Sequence, residues 1–199
     1  MRKIIVLSFI TLDGVMQAPG APDEDPSGGF SYGGWTVPYF DEALGEVMDQ
    51  QLKPPYDLLL GRKTYDIFAS YWPNHREEGI PFNEATKYVV SHEDRDLSWE
   101  NSLLLKGDTV ESIQQLKNTD GPDLQVHGSG ELIQTLIKHH LVDELWLKIF
   151  PIILGTGKRL FHEGTPPTAF SLKKSFATPK GVMIAEYVLS GEVKTGSFQ

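Results

Sequence analysis

The sequence predicts an α/β fold, a mostly parallel sheet finished by an antiparallel C-terminal hairpin. Three observations carry that expectation. Segments of helical and extended periodicity alternate as far as about residue 150, the pattern of a parallel sheet built from crossover units. Two strand-length runs, Leu58-Leu59-Leu60-Gly61 and Leu124-Gln125-Val126-His127-Gly128, each meet glycine and open into a helix. Near the end, strand-like runs at 170–177 and 182–189 flank Pro179-Lys180-Gly181, a hairpin turn.

A chain of 199 residues with 40% hydrophobic and 23% charged residues suits one globular domain, expected over residues 1–190 with a polar tail over 191–199. The net charge of −9 repels nucleic acid and anionic membrane, so any anion site must be a local basic patch. The absence of cysteine excludes disulfides, thiolate catalysis and thiolate metal sites. The run Ile4-Ile5-Val6-Leu7-Ser8-Phe9-Ile10 is too short for a membrane span, which needs about 18 apolar residues. It reads as a buried first strand rather than a signal peptide, and the expected compartment is the cytoplasm.

In chain order, residues 2–10 form a central strand, apolar on both faces. Asp13-Gly14 follows, a turn dipeptide that leaves a carboxylate where ligands gather in open α/β sheets. Residues 17–36 are a long Gly/Pro/Asp-rich loop, and its aromatics Phe30, Tyr32 and Trp35 either close over a flat ligand or tuck into the core. Asp23-Glu24-Asp25 imitates a calcium loop but has Gly34 where the bidentate glutamate belongs. A helix is expected from Pro38 to about Leu52, stopped by Pro54-Pro55. Strand 56–60 then runs into Gly61, which can take a positive φ and lets a ligand approach the backbone, and Thr64 is expected to cap the next helix. Arg62 and Lys63 at that helix start oppose the macrodipole, which makes sense if an anion sits between them and the free N–H groups. A short helix near 81–85, strands at 87–91 and 103–105, and a helix capped by Thr109 follow. Gly128-Ser129-Gly130-Glu131 opens the second junction, although Ile133 stands where the full dinucleotide fingerprint requires glycine. Leu145–Phe150 is a further strand. Gly157-Lys158 lacks the other residues of a Walker A loop. Asp13 and His127 are the candidate catalytic residues, His127 as a proton donor, and Trp72, Trp99 and Trp146 are read as packing residues.

Six segments together resemble the dihydrofolate reductase superfamily over about residues 2–190, closest to the branch containing the reductase domain of bacterial riboflavin biosynthesis. They are Leu12-Asp13-Gly14, Leu60-Gly61-Arg62-Lys63-Thr64-Tyr65, Val89-Val90-Ser91, Gly128-Ser129-Gly130-Glu131-Leu132, Leu141-Val142-Asp143-Glu144-Leu145 and Pro151–Phe161. The resemblance implies a three-layer α/β/α fold and an NADPH-dependent reductase without a metal, acting on a small flat heterocycle. That acceptor would be a pyrimidine such as 5-amino-6-(5-phosphoribosylamino)uracil, or a pterin like dihydrofolate. It implies that Gly61, Arg62, Lys63 and Thr64 hold the adenosine side of the cofactor and that Ser91 and His92 meet its 2′-phosphate. Gly128, Ser129, Gly130, Glu131 and Leu132 would line the diphosphate and nicotinamide. Asp13, Gly14, Phe150 and Pro151 would face the substrate, joined by Trp35 and Asp41 of a W-x-x-P region in which the carboxylate falls one residue late. His127 stands where riboflavin-pathway reductases often carry glutamate. A homodimer paired through C-terminal strands is implied as well. The alternative is a non-catalytic nucleotide- or ligand-binding protein on the same fold.

Overall fold

The computed structural model describes residues 1–198. Its centre is an eight-stranded sheet: β1 Ile4–Thr11, β2 Asp57–Gly61, β3 Lys87–Val90, β4 Ser102–Leu105, β5 Leu124–His127, β6 Glu144–Phe150, β7 Ala169–Ala177 and β8 Met183–Gly191. The spatial order is β4-β3-β2-β5-β1-β6-β8-β7, parallel from β4 to β6 and antiparallel over β6-β8-β7. Strand β1 is central because nearly every residue is buried and both neighbours are parallel, as its apolar run requires.

Four helices complete the layers: α1 Glu42–Gln51, α2 Arg62–Tyr71, α3 Thr109–Lys117 and α4 Gly130–Lys138. Successive strand residues face opposite sides, so each strand serves two cores. Ile4, Val6, Leu59 and Val126 pack under α3 and α4, together with Ile113, Leu116, Ile133 and Leu136. On the other face, Leu58 and Leu60 meet Tyr65 of α2, while Leu44 and Val47 of α1 join Trp35, Phe150 and Ile184. This is the three-layer α/β/α arrangement that the resemblance implies, and no helix of the described residues is long and apolar enough to cross a membrane.

Several boundaries differ from the expectation. Pro38 lies in a separate 3-10 turn, Val37–Tyr39, and α1 starts only after Asp41, whose side chain caps it by accepting from the Leu44 N–H at 2.9 Å. Helix α2 begins at Arg62 with Gly61 at its cap position, three residues early, so Thr64 is an interior residue of its first turn. Asp108 rather than Thr109 caps α3. No helix forms at 81–85, where Asn83 is instead buried and receives the Trp99 indole N–H at 2.7 Å. Phe30 and Trp35 tuck into the core, and Trp35 donates to the Gln17 carbonyl at 2.8 Å, while Tyr32 stays exposed.

Candidate active site

The parallel strands end on one side of the sheet, and there the two glycine junctions meet. Ser129 joins them: its hydroxyl accepts from the Gly61 N–H at 2.8 Å and donates to the Thr64 hydroxyl at 2.8 Å. Gly61 has an ordinary φ of −76°, so a positive φ is not the reason for glycine there. The reason is space, since a Cβ would sit 3.2 Å from both Cβ and Oγ of Ser129. Gly128 and Ser129 are both left-handed, with φ of 64° and 67°, which turns the chain sharply off β5 into α4. A serine in that region is uncommon and costs energy that its two hydrogen bonds offset. The result is two helix starts side by side, each with first-turn N–H groups that have no partner within the helix.

These starts open on a cleft of about 1740 Å³. Gly61, Arg62, Lys63, Thr64, Ser91, His92 and the whole segment Gly128–Leu132 line it. Arg62 makes only an exposed contact to Asp66 at 3.4 Å, and Arg95 also holds that carboxylate, at 2.6 Å. The basic end of the cleft therefore keeps charge available for an anion.

The other half of the cleft is apolar. Phe82 packs edge-on against His127, with ring centroids 5.0 Å apart, and against Trp72 at the same distance; Phe68 stacks on Phe82. Leu7 and Phe9 of β1, with Met48 and Leu52 of the α1 side, complete the lining. Burial, and then the Lys148 charge, push His127 down to about 3, so its ring is neutral near pH 7. Its Nε2 lies 2.9 Å from Gln125 Oε1, and Gln125 in turn donates to the Gln51 carbonyl at 2.7 Å. The candidate proton donor is thus a neutral, hydrogen-bonded wall residue in this state.

Lys148 was not singled out in the sequence. It lies on β6 beside Phe9 of β1, lines the same cleft, and burial pulls its ammonium down to about 7. The available signal was a lysine between Leu147 and Ile149 in an otherwise apolar strand, a position that a solvated charge does not choose.

The remaining expected residues lie outside the cleft lining. Asp13 accepts from the Thr11 hydroxyl at 2.6 Å and from the Leu154 and Gly155 N–H groups at 3.2 and 2.9 Å. The Thr11 hydroxyl foremost, with those backbone N–H groups, holds its carboxyl down at about 2 despite partial desolvation. It ties the end of β1 to the segment after β6, and Gly14 turns beside it with a φ of 80°. Asp41 is committed to the α1 cap and also accepts from the Lys180 N–H at 3.0 Å. Trp35 and Phe150 pack edge-on in the core at 5.2 Å, and Pro151 is exposed next to Gly181. Lys158 is accounted for as a strut: its Nζ meets Asp25 at 2.5 Å and Ser27 at 2.7 Å, pinning the long loop over one side of the cleft.

A family model described as the RibD C-terminal domain matches residues 2–184. Among curated proteins, the uncharacterized protein YyaP of Bacillus subtilis (strain 168) is 27% identical over 166 residues, 80% of either chain. The uncharacterized protein YwjB of the same organism is 26% identical over 176 residues, 86% of this chain and 90% of its own. Among solved structures, a Shewanella sp. PV-4 protein provisionally named for riboflavin biosynthesis superposes with a TM-score of 0.63 at 23% identity, over 94% of this chain and 99% of its own. A pyrimidine reductase-like protein of Corynebacterium diphtheriae superposes with a TM-score of 0.59 at 15% identity, over 94% and 92%. These likenesses to solved structures are likenesses of fold.

Proposed function

This chain belongs to the RibD C-terminal domain family, and from that premise we propose that it is an NADPH-dependent reductase of a small, flat heterocycle, pyrimidine- or pterin-like. The observation that carries the reading is the pair of helix starts locked together by Ser129. Their unpaired N–H groups suit the diphosphate of a dinucleotide, and the glycines let it approach the backbone. Arg62, Lys63, Ser91 and His92 line the same end and suit the additional phosphate that separates NADPH from NADH. When bound, the cofactor supplies the hydride; the chain orients it, holds the acceptor against the partly exposed Phe68 and Trp72 and keeps water out.

The test is a titration of NADPH and NADH, followed by tryptophan quenching, on the wild type and on the double variant Arg62→Ala, Lys63→Ala. NADPH binding tighter than NADH, with that preference lost in the variant, is the expected result. No binding of NADPH at millimolar concentration overturns the reading.

A second reading, nucleotide binding without turnover, is favoured by one observation. Of the two candidate catalytic residues, Asp13 lies outside the cleft lining and is ionised, and His127 is neutral and hydrogen-bonded. NADPH oxidation with any of a panel of pyrimidines, pterins and quinones removes this second reading.

A further inference from the structure

Lys148 is a buried group of the cleft that the reductase reading leaves without a task. It is 1% exposed, and its Nζ lies 5.6 Å from the centre of the Phe9 ring without a hydrogen bond or ion pair among the described residues. The other buried lysines behave differently. Lys87 gives its ammonium to the carbonyls of Asn83 and Glu100 at 2.7 and 3.0 Å, and Lys117 pairs with Asp143. An unpartnered buried ammonium is among the costliest groups a fold can hold.

The surroundings of Lys148 supply no counter-charge at contact. Strand β5 brings His127, which is neutral, and β1 brings Leu7 and Phe9. Strand β8 brings Glu186, which attracts the ammonium without touching it and accepts from Gln51 of α1 at 3.3 Å. The other cations of the cleft are elsewhere or engaged. Arg62 and Lys63 stand at the start of α2, Lys158 is held by Asp25, and Arg159 lies 3.5 Å from Asp13.

We propose that Lys148 makes the apolar half of the cleft a subsite for a planar monoanion. The ligand is an aromatic or heteroaromatic ring carrying one carboxylate, enolate or deprotonated lactam oxygen, bound with that oxygen on Nζ and the ring against Phe68 and Trp72, which are partly exposed to the cleft. A low-dielectric site with a single cation strengthens one such contact and offers nothing to a second anionic group. A cationic ring, such as a protonated pterin, meets a like charge there. The inference rests on the reductase reading only in calling this ligand the acceptor; the anion subsite stands independently of it.

The experiment uses the full chain without nucleotide, at pH 6, where the ammonium is charged. Calorimetric titrations compare 2-naphthoate with its neutral analogue 2-naphthamide. The expected result is a preference for the anion of roughly tenfold, erased in Lys148→Met and in Lys148→Gln. Equal affinities in the wild type, or a preference that survives both substitutions, overturns the proposal. The NADPH titration on the same samples separates the two ideas. Nucleotide binding without anion preference defeats only the Lys148 subsite, and anion preference without nucleotide binding defeats only the reductase reading.

Discussion

The two halves of the cleft are built on opposite principles. The helix starts present free backbone N–H groups, with Arg62, Lys63, Ser91 and His92 beside them and Ser129 holding the two starts together. Ser129 touches both junctions, and its hydroxyl proton and one of its two acceptor sites are used within the protein. The apolar half is instead a surface of side chains from β1, β5, β6, α2 and the loop before β3, around one cation without a partner. The first half contributes to stability before anything binds. The second contains a charge that works against the folded state.

The largest test of this contrast is Lys148→Met. The folded ammonium titrates near 7 rather than 10.5, so below 7 the native state carries a desolvated charge that the unfolded chain carries in water. The variant is expected to be more stable than the wild type at pH 6.5, by on the order of 3 kcal/mol. Between about 7 and 10.5 the native lysine is neutral while the unfolded one is still charged, so the gain shrinks as pH rises and vanishes near 10.5. Urea denaturation at pH 6.5 and 10 measures it; an unchanged or lowered midpoint at pH 6.5 breaks the comparison.

Ser129→Ala probes the other half with the opposite sign. Removing the hydroxyl strands the Gly61 N–H and the Thr64 hydroxyl, at a cost of about 1–2 kcal/mol in stability. The same variant is expected to weaken NADPH roughly tenfold, because the helix starts lose their common strut. Full stability in the variant would mean that the junctions hold together without the serine.

The smallest effect sharpens where the cleft ends. Asp13→Asn removes a charged acceptor from the Leu154 and Gly155 N–H groups and is expected to cost about 1 kcal/mol. With Asp13 outside the lining, NADPH affinity should stay within about twofold of the wild type, a difference of roughly 0.4 kcal/mol. A tenfold loss in the same titration would draw Asp13 back into the site.

The same division explains what could be read from the amino-acid order. Strand β1 was legible because an apolar run with no alternation has few other places to go, and the glycine junctions because each is a local pattern. The start of α1 was not, because Pro38 suits a first helical turn equally well, whereas Asp41 decides the boundary through its own cap. The freedom of Gly61 to take a positive φ is not used, and the need for space there was not legible because its near neighbour Ser129 is 68 positions away. The bracing role of Asp13 was not legible, because the N–H donors to its carboxylate lie after β6, about 140 positions on, where no local pattern reveals them. Lys148 was hidden in the same way. Its neighbours in sequence make it look like part of a strand, and only the partners missing around it in space mark it out.

The distribution of tryptophans has a spectroscopic consequence. Of four in the chain, Trp72 alone lines the cleft, while Trp35 and Trp99 are buried in the cores and Trp146 bonds to Glu144 at 2.9 Å. The indole fluorescence of this protein therefore carries one reporter on the apolar half and three background emitters. Quenching that disappears in Trp72→Phe comes from a molecule seated among the aromatics, and quenching that persists comes from longer-range energy transfer to a reduced nicotinamide. One pair of emission titrations thus distinguishes which end of the cleft a ligand occupies.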